Sequence, residues 1–302
     1  MLLSVIIPNY NGIKLLKEHL EANYKVLEKE APDNFEIIVT DDHSKDGSGA
    51  FVAALNLPNV RFLVNPDERG FGSNCNNGAR NAGGKFVFFL NNDVALTEGF
   101  RLQPLIDKLS EEKIFSVVPR ILRKKDNLIE SLTSGTLVPG EIRAQSKNKS
   151  NKDPEANHKV LWGCGAALLC ERELFFQLGG FADEFKIYYG EDIDLSLSAW
   201  RQGYQNWYVG KSTVTHDNSV TTKKEWKWKK RFIAGRNMSY FQYKHLPLEY
   251  RISRFRKKLA HFALRLNLFM VWVEVSAYLT LPKEEPHYVF STEEVLNELN
   301  KT

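Results

Sequence analysis

The sequence predicts an α/β protein with a mostly parallel sheet flanked by helices, followed by a helical extension at the C-terminus. Between residues 3 and 93, continuous apolar runs alternate with helical patterns, which is the order of βαβ units. Three of these runs end in Asn or Asp, as expected where buried strands meet a polar crevice. With 302 residues and 43% hydrophobic residues, the chain is long enough to bury a large core.

Short apolar runs and amphipathic stretches define the individual elements. In the first half of the chain, the pattern predicts strands at 2–8, 35–40, 60–64 and 86–90. It predicts one helix at 13–30, a second that starts at the turn 44–48, and a third that starts after Gly70. The second half predicts strands at 115–120, 166–170 and 207–209, with helices at 172–178 and 191–203. The polar stretch between residues 123 and 158 predicts a surface excursion that acts as a lid or binding loop.

Carboxylates follow two of the predicted strands. Asp41 and Asp42 end the second strand, and Asp93 follows the fourth in an Asn-Asn-Asp cluster. Ligands of open α/β sheets bind outside the carboxyl ends of the strands, where Asp93 could hold a divalent metal against a phosphate. The alternative is an ordinary turn, since Asn and Asp are common turn residues. Neither a GxGxxG fingerprint nor a Walker P-loop is present.

A second acidic cluster opens the helix predicted at 191–203. Glu191, Asp192 and Asp194 lie within four residues. Acids at a helix N-terminus interact favourably with its dipole, so one or two of them could be purely structural.

The last part of the chain is basic and aromatic. Thirteen Lys/Arg and two Glu lie between Lys223 and Lys258. Apolar residues then recur at helical spacing from Phe255 to Ala277, which predicts one amphipathic helix. Three interpretations stay open: packing on the chain's own domain, homodimer formation, and binding to an anionic membrane surface. The net charge of only +4 argues against a nucleic-acid partner.

Cysteine usage and the termini bear on location. The three cysteines form no CxxC pair, which favours a reducing, cytoplasmic compartment. The N-terminus enters a strand directly and predicts no signal peptide. The apolar stretch 266–281 is interrupted by Glu274 and is too short to predict a spanning helix.

With these motifs located, the sequence resembles the inverting GT-A glycosyltransferases of family 2, and within them the rhamnosyltransferase-like branch. The resemblance covers residues 3–219. It rests on six segments in order, namely 4–12, 37–47, 76–84, 90–93, 179–184 and 190–194. It implies the GT-A fold, Rossmann-like and built for nucleotide-diphospho-sugar transfer.

The resemblance also implies roles for individual residues. The nucleotide-sugar donor would be bound by residues at the strand ends and in the following helix: Pro8, Tyr10, Asn11, Asp41, Asn76, Asn91 and Asn92. Asp93 would be the main contact to Mg²⁺ or Mn²⁺, and His216 would reach the metal or the diphosphate. Asp192 matches the catalytic base, with Glu191 beside it. Inverting sugar transfer needs one such base and a cation for the leaving diphosphate.

The expected protein is therefore a glycosyltransferase with a GT-A domain at 1–220 and a basic, aromatic helical extension at 221–302. It would transfer a sugar from a nucleotide-diphosphate sugar to a glycan, with a lipid-linked glycan as the expected acceptor, at the cytoplasmic membrane face. A sugar-1-phosphate nucleotidyltransferase is one alternative, but residues 9–12 are not its glycine-rich, arginine-containing loop. A catalytically degenerate scaffold is another, because Asn91 replaces the first acid of the metal motif.

Overall fold

The computed structural model describes residues 1–67, 70–146, 153–185, 187–217, 227–282 and 287–301. The strands are β1 (Leu3–Asn9), β2 (Phe35–Asp41), β3 (Val60–Val64), β4 (Phe86–Leu90), β5 (Val94–Leu96), β6 (Ile114–Arg123), β7 (Thr133–Val138), β8 (Glu141–Ser146), β9 (His158–Val160), β10 (Ala167–Glu171) and β11 (Gln205–His216). The helices are α1 (Ile13–Glu30), α2 (Ser48–Ala54), α3 (Phe71–Arg80), α4 (Leu102–Leu109), α5 (Arg172–Gln177), α6 (Glu191–Arg201), α7 (Lys227–His245), α8 (Leu248–Leu264), α9 (Leu268–Leu279) and α10 (Thr292–Leu299).

The central sheet has the order β3-β2-β1-β4-β10-β6-β11-β5, and β9 also pairs with β11. The pairs β3-β2, β2-β1 and β1-β4 are parallel, as the βαβ pattern predicts. Beyond β4 the pairing is mixed, because β10 runs antiparallel to both β4 and β6. The predicted α/β fold, a sheet flanked by helices with further helices at the C-terminus, is confirmed.

The sheet is covered on both faces, which explains why its strands are apolar throughout. Val5 and Ile7 pack with α1, α2 and α4 on one face. Ile6, between them, packs with α3, α5 and α6 on the other. With both faces covered, the crevice for a ligand is left at the carboxyl ends of the strands.

The predicted surface excursion at 123–158 has regular secondary structure in its described residues, and its role as a lid or binding loop stays a prediction. It contains the β7-β8 hairpin, and β9 begins at its last residue, His158. Residues 147–152 lie outside the described ranges. Gln242 of α7 donates to the Ile142 carbonyl at 2.7 Å and accepts from the Ile142 amide at 2.8 Å. Ile142 is 2% exposed in a core shared with α6, α7 and α10. The hairpin is therefore a platform for the C-terminal helices.

The C-terminal region differs from the single amphipathic helix predicted through residues 255–277. The helix ends at Leu264, and α9 starts at Leu268 after Leu266 adopts a positive φ of 52°. Of the predicted membrane-facing aromatic residues, Tyr240, Phe241 and Tyr243 are at most 1% exposed. These three residues pack on the chain's own domain, as the first of the three interpretations expects. Residues 223–226 of the same segment lie outside the described ranges.

Two further predictions concern this region. Among the described residues, no helix combines the length and apolar character that crossing a membrane requires. The boundary at residue 220 stays a prediction, since residues 218–226 are not described. The helices that follow share a core with α6, so they pack as part of the same body.

Candidate active site

A cleft of about 510 Å³ opens at the carboxyl ends of β1, β2 and β4. Ligand sites commonly have volumes of about 300–1,000 Å³, so the cleft can hold a sugar nucleotide. It gathers predicted site residues that are far apart in sequence: Pro8, Tyr10, Asn91, Asn92, Asp93, Glu191, Asp192 and His216.

The floor of the cleft is fixed by hydrogen bonds between strand ends. The Asn9 side chain donates through Nδ2 to Asp41 at 2.8 Å, and its Oδ1 accepts from Asn92 Nδ2 at 2.9 Å. This links the ends of β1, β2 and β4. Gly12 lies so close that an added Cβ would sit 2.3 Å from the Asn92 amide nitrogen, so a side chain at this position would disrupt the link.

The described lining of the cleft includes Asp42 and not the predicted Asp41. Both oxygens of Asp41 are engaged, one by Asn9 and the Ser44 hydroxyl and the other by the Ser44 amide. Asp41 is therefore a structural anchor for the turn after β2. Asp42 is also buried, and its carboxylate accepts from Asn65 at 3.2 Å.

Two other predicted donor contacts lie away from the cleft lining. Asn76 donates to the Phe181 carbonyl at 2.8 Å and accepts from the Phe181 amide at 3.0 Å. This exchange pins α3 to the loop after α5. The Asn11 side-chain oxygen Oδ1 accepts from the Lys45 backbone amide at 2.9 Å and stabilises the β2-α2 turn. Both side chains therefore make structural contacts outside the described lining of the cleft.

Asp93 and His216 meet at one side of the cleft. The β11-β5 pairing places His216 opposite Val94, next to Asp93. His216 Nε2 lies 3.2 Å from an Asp93 carboxylate oxygen, and Nδ1 lies 2.7 Å from Glu130. Burial lowers the pKa of His216, but hydrogen bonds to Asp93 and Glu130 outweigh it and raise the pKa to about 9. A carboxylate on Nδ1 is the arrangement that orients metal-binding histidines elsewhere.

The donor set beside Asp93 fits a divalent cation. Asn91 Oδ1 is buried and has no hydrogen-bond partner among the described residues, although Asn91 lines the cleft. A carboxylate, a neutral imidazole nitrogen and an amide oxygen are all suitable ligands for Mn²⁺, and the two oxygens also suit Mg²⁺. Because the pKa of His216 is about 9, metal binding at Nε2 must displace the proton that the ring holds against Asp93.

A second group of candidate ligands lies outside the described cleft lining. Glu18, His19 and Asp217 bring their donor atoms within 4.8 Å of one another. The Lys124 ammonium is 2.8 Å from Asp217 and 3.4 Å from Glu18. A cationic side chain therefore already balances the charge of this group.

Glu191 and Asp192 enter the cleft from the first turn of α6. Gly190 has a φ of +103°, and an added Cβ would sit 2.7 Å from Phe185, so glycine sets the direction in which the helix begins. Glu191 is 6% exposed, and its Oε2 has no hydrogen-bond partner among the described residues. Burial and the charge of Asp192 raise the pKa of Glu191 to about 8, which keeps it protonated at neutral pH.

Of Glu191 and Asp192, Asp192 is the one whose ionised carboxylate is held by hydrogen bonds. Its carboxylate accepts from the Gly165 amide at 3.0 Å and the Ile193 amide at 2.8 Å. Burial raises the pKa of Asp192 above its usual value, while these amides act in the opposite direction. Two backbone donors hold the ionised carboxylate in one orientation within the cleft.

Asp194, the third acid, faces away from the cleft. It is 2% exposed and contacts Lys244 at 2.7 Å and His245 at 2.8 Å, both on α7. Burial raises its pKa, but the two basic neighbours outweigh this effect and lower it. Burial also lowers the pKa of His245 to about 4, so its neutral ring donates to Asp194. Asp194 thus joins α6 to the C-terminal helices.

Two residues with functional potential are absent from the predicted set: Asp42, which lines the cleft, and Glu130, which contacts His216 from outside its lining. The sequence prediction names Asp41 instead of Asp42, because a strand end does not reveal which of two consecutive acids the next turn captures. Glu130 lies in the stretch interpreted as a lid, and no local motif marks it. Only its contact with His216, 86 residues away, identifies it.

Similarity to known proteins agrees with this geometry. The family model for glycosyl transferase family 2 matches residues 4–178. An N-acetylglucosaminyl-diphospho-decaprenol L-rhamnosyltransferase of Mycobacterium tuberculosis is 24% identical over 231 residues, covering 68% of this chain and 74% of that protein. A GalNAc(5)-diNAcBac-PP-undecaprenol beta-1,3-glucosyltransferase of Campylobacter jejuni is 32% identical over 129 residues, covering 42% and 40%.

Other relatives match only part of their own length. The chain spans 33% and 26% of two relatives named as N-acetylgalactosaminyltransferases, from Drosophila melanogaster and Caenorhabditis elegans.

Solved structures share the fold. GalNAc-T7, solved with UDP, GalNAc and Mn²⁺, gives a TM-score of 0.67 at 18% identity, over 95% of this chain and 58% of that chain. The Staphylococcus aureus protein TarS, solved with UDP-GlcNAc, gives 0.54 at 16% identity, over 92% and 79%. Because the family model matches more than half of the 302 residues, the chain belongs to glycosyl transferase family 2 and has its GT-A fold.

Proposed function

We propose that this glycosyltransferase transfers a hexosyl or deoxyhexosyl group from a nucleotide-diphosphate sugar to a glycan hydroxyl, with inversion at the anomeric carbon. The observation that carries the proposal is the convergence of Asp192 and the Asp93-His216 pair in one cleft. Inverting transfer needs a base for the acceptor hydroxyl and stabilisation of the leaving diphosphate, and these residues supply groups suited to both.

Asp192 is the proposed base. Its two backbone donors fix the carboxylate in place, and its side chain is less buried than that of Glu191. The acceptor oxygen attacks the anomeric carbon as its proton passes to Asp192, and the bond from that carbon to the diphosphate breaks on the opposite face. Glu191 keeps its proton near neutral pH and so adds no second negative charge beside the base.

Asp93, His216 and the Asn91 amide oxygen are the proposed ligands of Mg²⁺ or Mn²⁺. Glu130 holds the His216 ring so that Nε2 faces Asp93. When bound, the cation supplies positive charge for the departing diphosphate. Pro8, Tyr10, Asp42 and Asn92, which line the same cleft, then remain to contact the donor nucleotide and sugar.

The proposed acceptor is a lipid-linked glycan at the cytoplasmic face of a membrane. Two relatives are named for acceptors that carry a diphospho-decaprenol or PP-undecaprenol group. An acceptor with such an anchor is confined to a bilayer, so the enzyme must work at the membrane surface.

We expect Asp93→Ala to weaken the binding of nucleoside diphosphates by about tenfold or more and to abolish its dependence on Mg²⁺ or Mn²⁺. The reason is the loss of the only carboxylate in the proposed ligand set. Isothermal titration of UDP, GDP and dTDP, with and without each metal, measures both effects.

Asp67→Ala is the matched control, because Asp67 pairs with Arg80 at the surface, outside the described cleft lining. It should bind as the wild type does. Unchanged metal dependence in Asp93→Ala would show that the Asn91-Asn92-Asp93 assignment is wrong.

A further inference from the structure

The corner between α8 and α9 exposes three leucines at every second position of the sequence. Leu264 and Leu266 are each 86% exposed, and Leu268 is 74% exposed. All six residues from 263 to 268 are exposed. Leaving three leucines in water is unfavourable, since each would gain from burial of its apolar surface.

The corner has a defined conformation that holds these side chains outward. The Leu266 amide donates to Ala263 at 3.0 Å, and the Asn267 amide donates to Phe262 at 2.9 Å. The Asn267 side chain then caps α9 by accepting from the Met270 amide at 3.2 Å. The exposed leucines therefore belong to an ordered turn.

The two helices behind the corner are anchored to the body of the protein. The Phe255 ring of α8 stacks on Tyr278 of α9 with centroids 4.1 Å apart. Phe232 of α7 stacks on Trp272 of α9, also at 4.1 Å. Glu274 of α9 is 2% exposed and accepts hydrogen bonds from Tyr243 and Ser239 of α7. The corner thus projects from a fixed support.

The surroundings of the corner are strongly basic. Residues 248–265 contain six Lys/Arg and one acid, Glu249. Arg256, Lys257 and Arg265 are exposed, whereas Arg251 and Arg254 are half-buried and donate to the carbonyls of Leu246 and Gly140. Exposed leucines flanked by bases are the composition of an element that lies in the interface of an anionic membrane.

Charge also decides between a membrane and a second copy of the chain. In a symmetric dimer the same patch lies opposite itself, so the bases of two α8 helices would face each other. An anionic bilayer instead offers opposite charge to α8 and apolar surface to the leucines.

We propose that the α8-α9 corner docks the protein on an anionic membrane, with Leu264, Leu266 and Leu268 inserted among the lipids and the bases of α8 on the headgroups. This surface keeps the α8 bases of the basic segment 223–258 but replaces its aromatic residues with the three leucines, because Tyr240, Phe241 and Tyr243 are buried. Docking requires no sugar nucleotide, so its test is independent of the proposed reaction.

The test is co-sedimentation of the full chain with vesicles of phosphatidylcholine alone or with added phosphatidylglycerol. The wild type should bind the anionic vesicles preferentially and release them as salt rises. The triple variant Leu264→Ser/Leu266→Ser/Leu268→Ser should bind about tenfold or more weakly, since it loses the inserted apolar surface. Arg256→Gln/Lys257→Gln should lose much of the preference for anionic lipid.

Two matched controls remove comparable groups elsewhere. Leu279→Ser/Val289→Ser removes side chains that are 79% and 67% exposed away from the corner. Lys29→Gln/Lys211→Gln removes two exposed charges outside the C-terminal helices. Both controls should sediment like the wild type.

Three outcomes would overturn the proposal. Failure of the wild type to bind anionic vesicles is the first, and unchanged binding by the triple leucine variant is the second. The third is a wild-type dimer in light scattering that the same leucine substitutions convert to a monomer, because this would make the corner a self-association surface.

Discussion

Asp192→Asn lowers the turnover number by on the order of 10²–10⁴-fold and leaves donor binding intact, if Asp192 is the base. Asparagine keeps the size of the side chain but cannot accept the acceptor's proton. Steady-state rates and nucleotide titrations on the same preparations separate the two effects. Burial raises the pKa of Asp192, so turnover of the wild type should fall with acid at a pH above the usual aspartate range.

Glu191→Gln is the matched control for this substitution. Glutamine mimics the protonated acid that Glu191 is near neutral pH, so turnover should remain within about tenfold of the wild type. The reverse result, an inactive Glu191→Gln and an active Asp192→Asn, would transfer the role of base to Glu191.

Asp194→Asn should lower the free energy of unfolding by about 3 kcal/mol or more, because it leaves the Lys244 ammonium without its anion in a poorly solvated position. The Lys244 side chain is 13% exposed and that of Asp194 is 3% exposed, so water screens the pair weakly. Urea denaturation measures the loss. Turnover per folded molecule should change little, since Asp194 faces α7 and lies outside the described cleft lining.

The double variant Asp194→Asn/Lys244→Met tests the cause. Removing the second charge should recover part of the lost stability, because the isolated buried cation is then gone. If Asp194→Asn instead unfolds like the wild type but does not turn over, Asp194 is a catalytic residue and the base must be reassigned.

Local sequence signals predicted much of the parallel half of the fold. The bounds of α1, β3 and β4 agree with the sequence prediction residue for residue, because periodicity and flanking turn residues mark them clearly. Predicted strand ends likewise placed Asp93 at the cleft, and the acidic start of α6 placed Asp192 there.

The remaining features depend on contacts between distant parts of the chain. Asn76 matches a family motif, yet both ends of its amide are taken by Phe181, 105 residues away. The break between α8 and α9 has no glycine or proline to signal it, and the apolar spacing continues through Leu266. Which of Asp41 and Asp42 reaches the cleft is decided by Asn9 and Ser44.

The central claim is sugar transfer from a nucleotide donor by the Asp192 cleft. Its most direct test is to incubate the chain with a panel of UDP-, GDP- and dTDP-sugars and polyprenyl-diphosphate-linked glycans, and to follow nucleotide release and product configuration by NMR. We predict one nucleoside diphosphate per glycoside formed, an inverted anomeric centre, and loss of both signals in Asp192→Asn. Pyrophosphate-dependent formation of a sugar 1-phosphate, a retained configuration, or no nucleotide release from any donor would contradict the account.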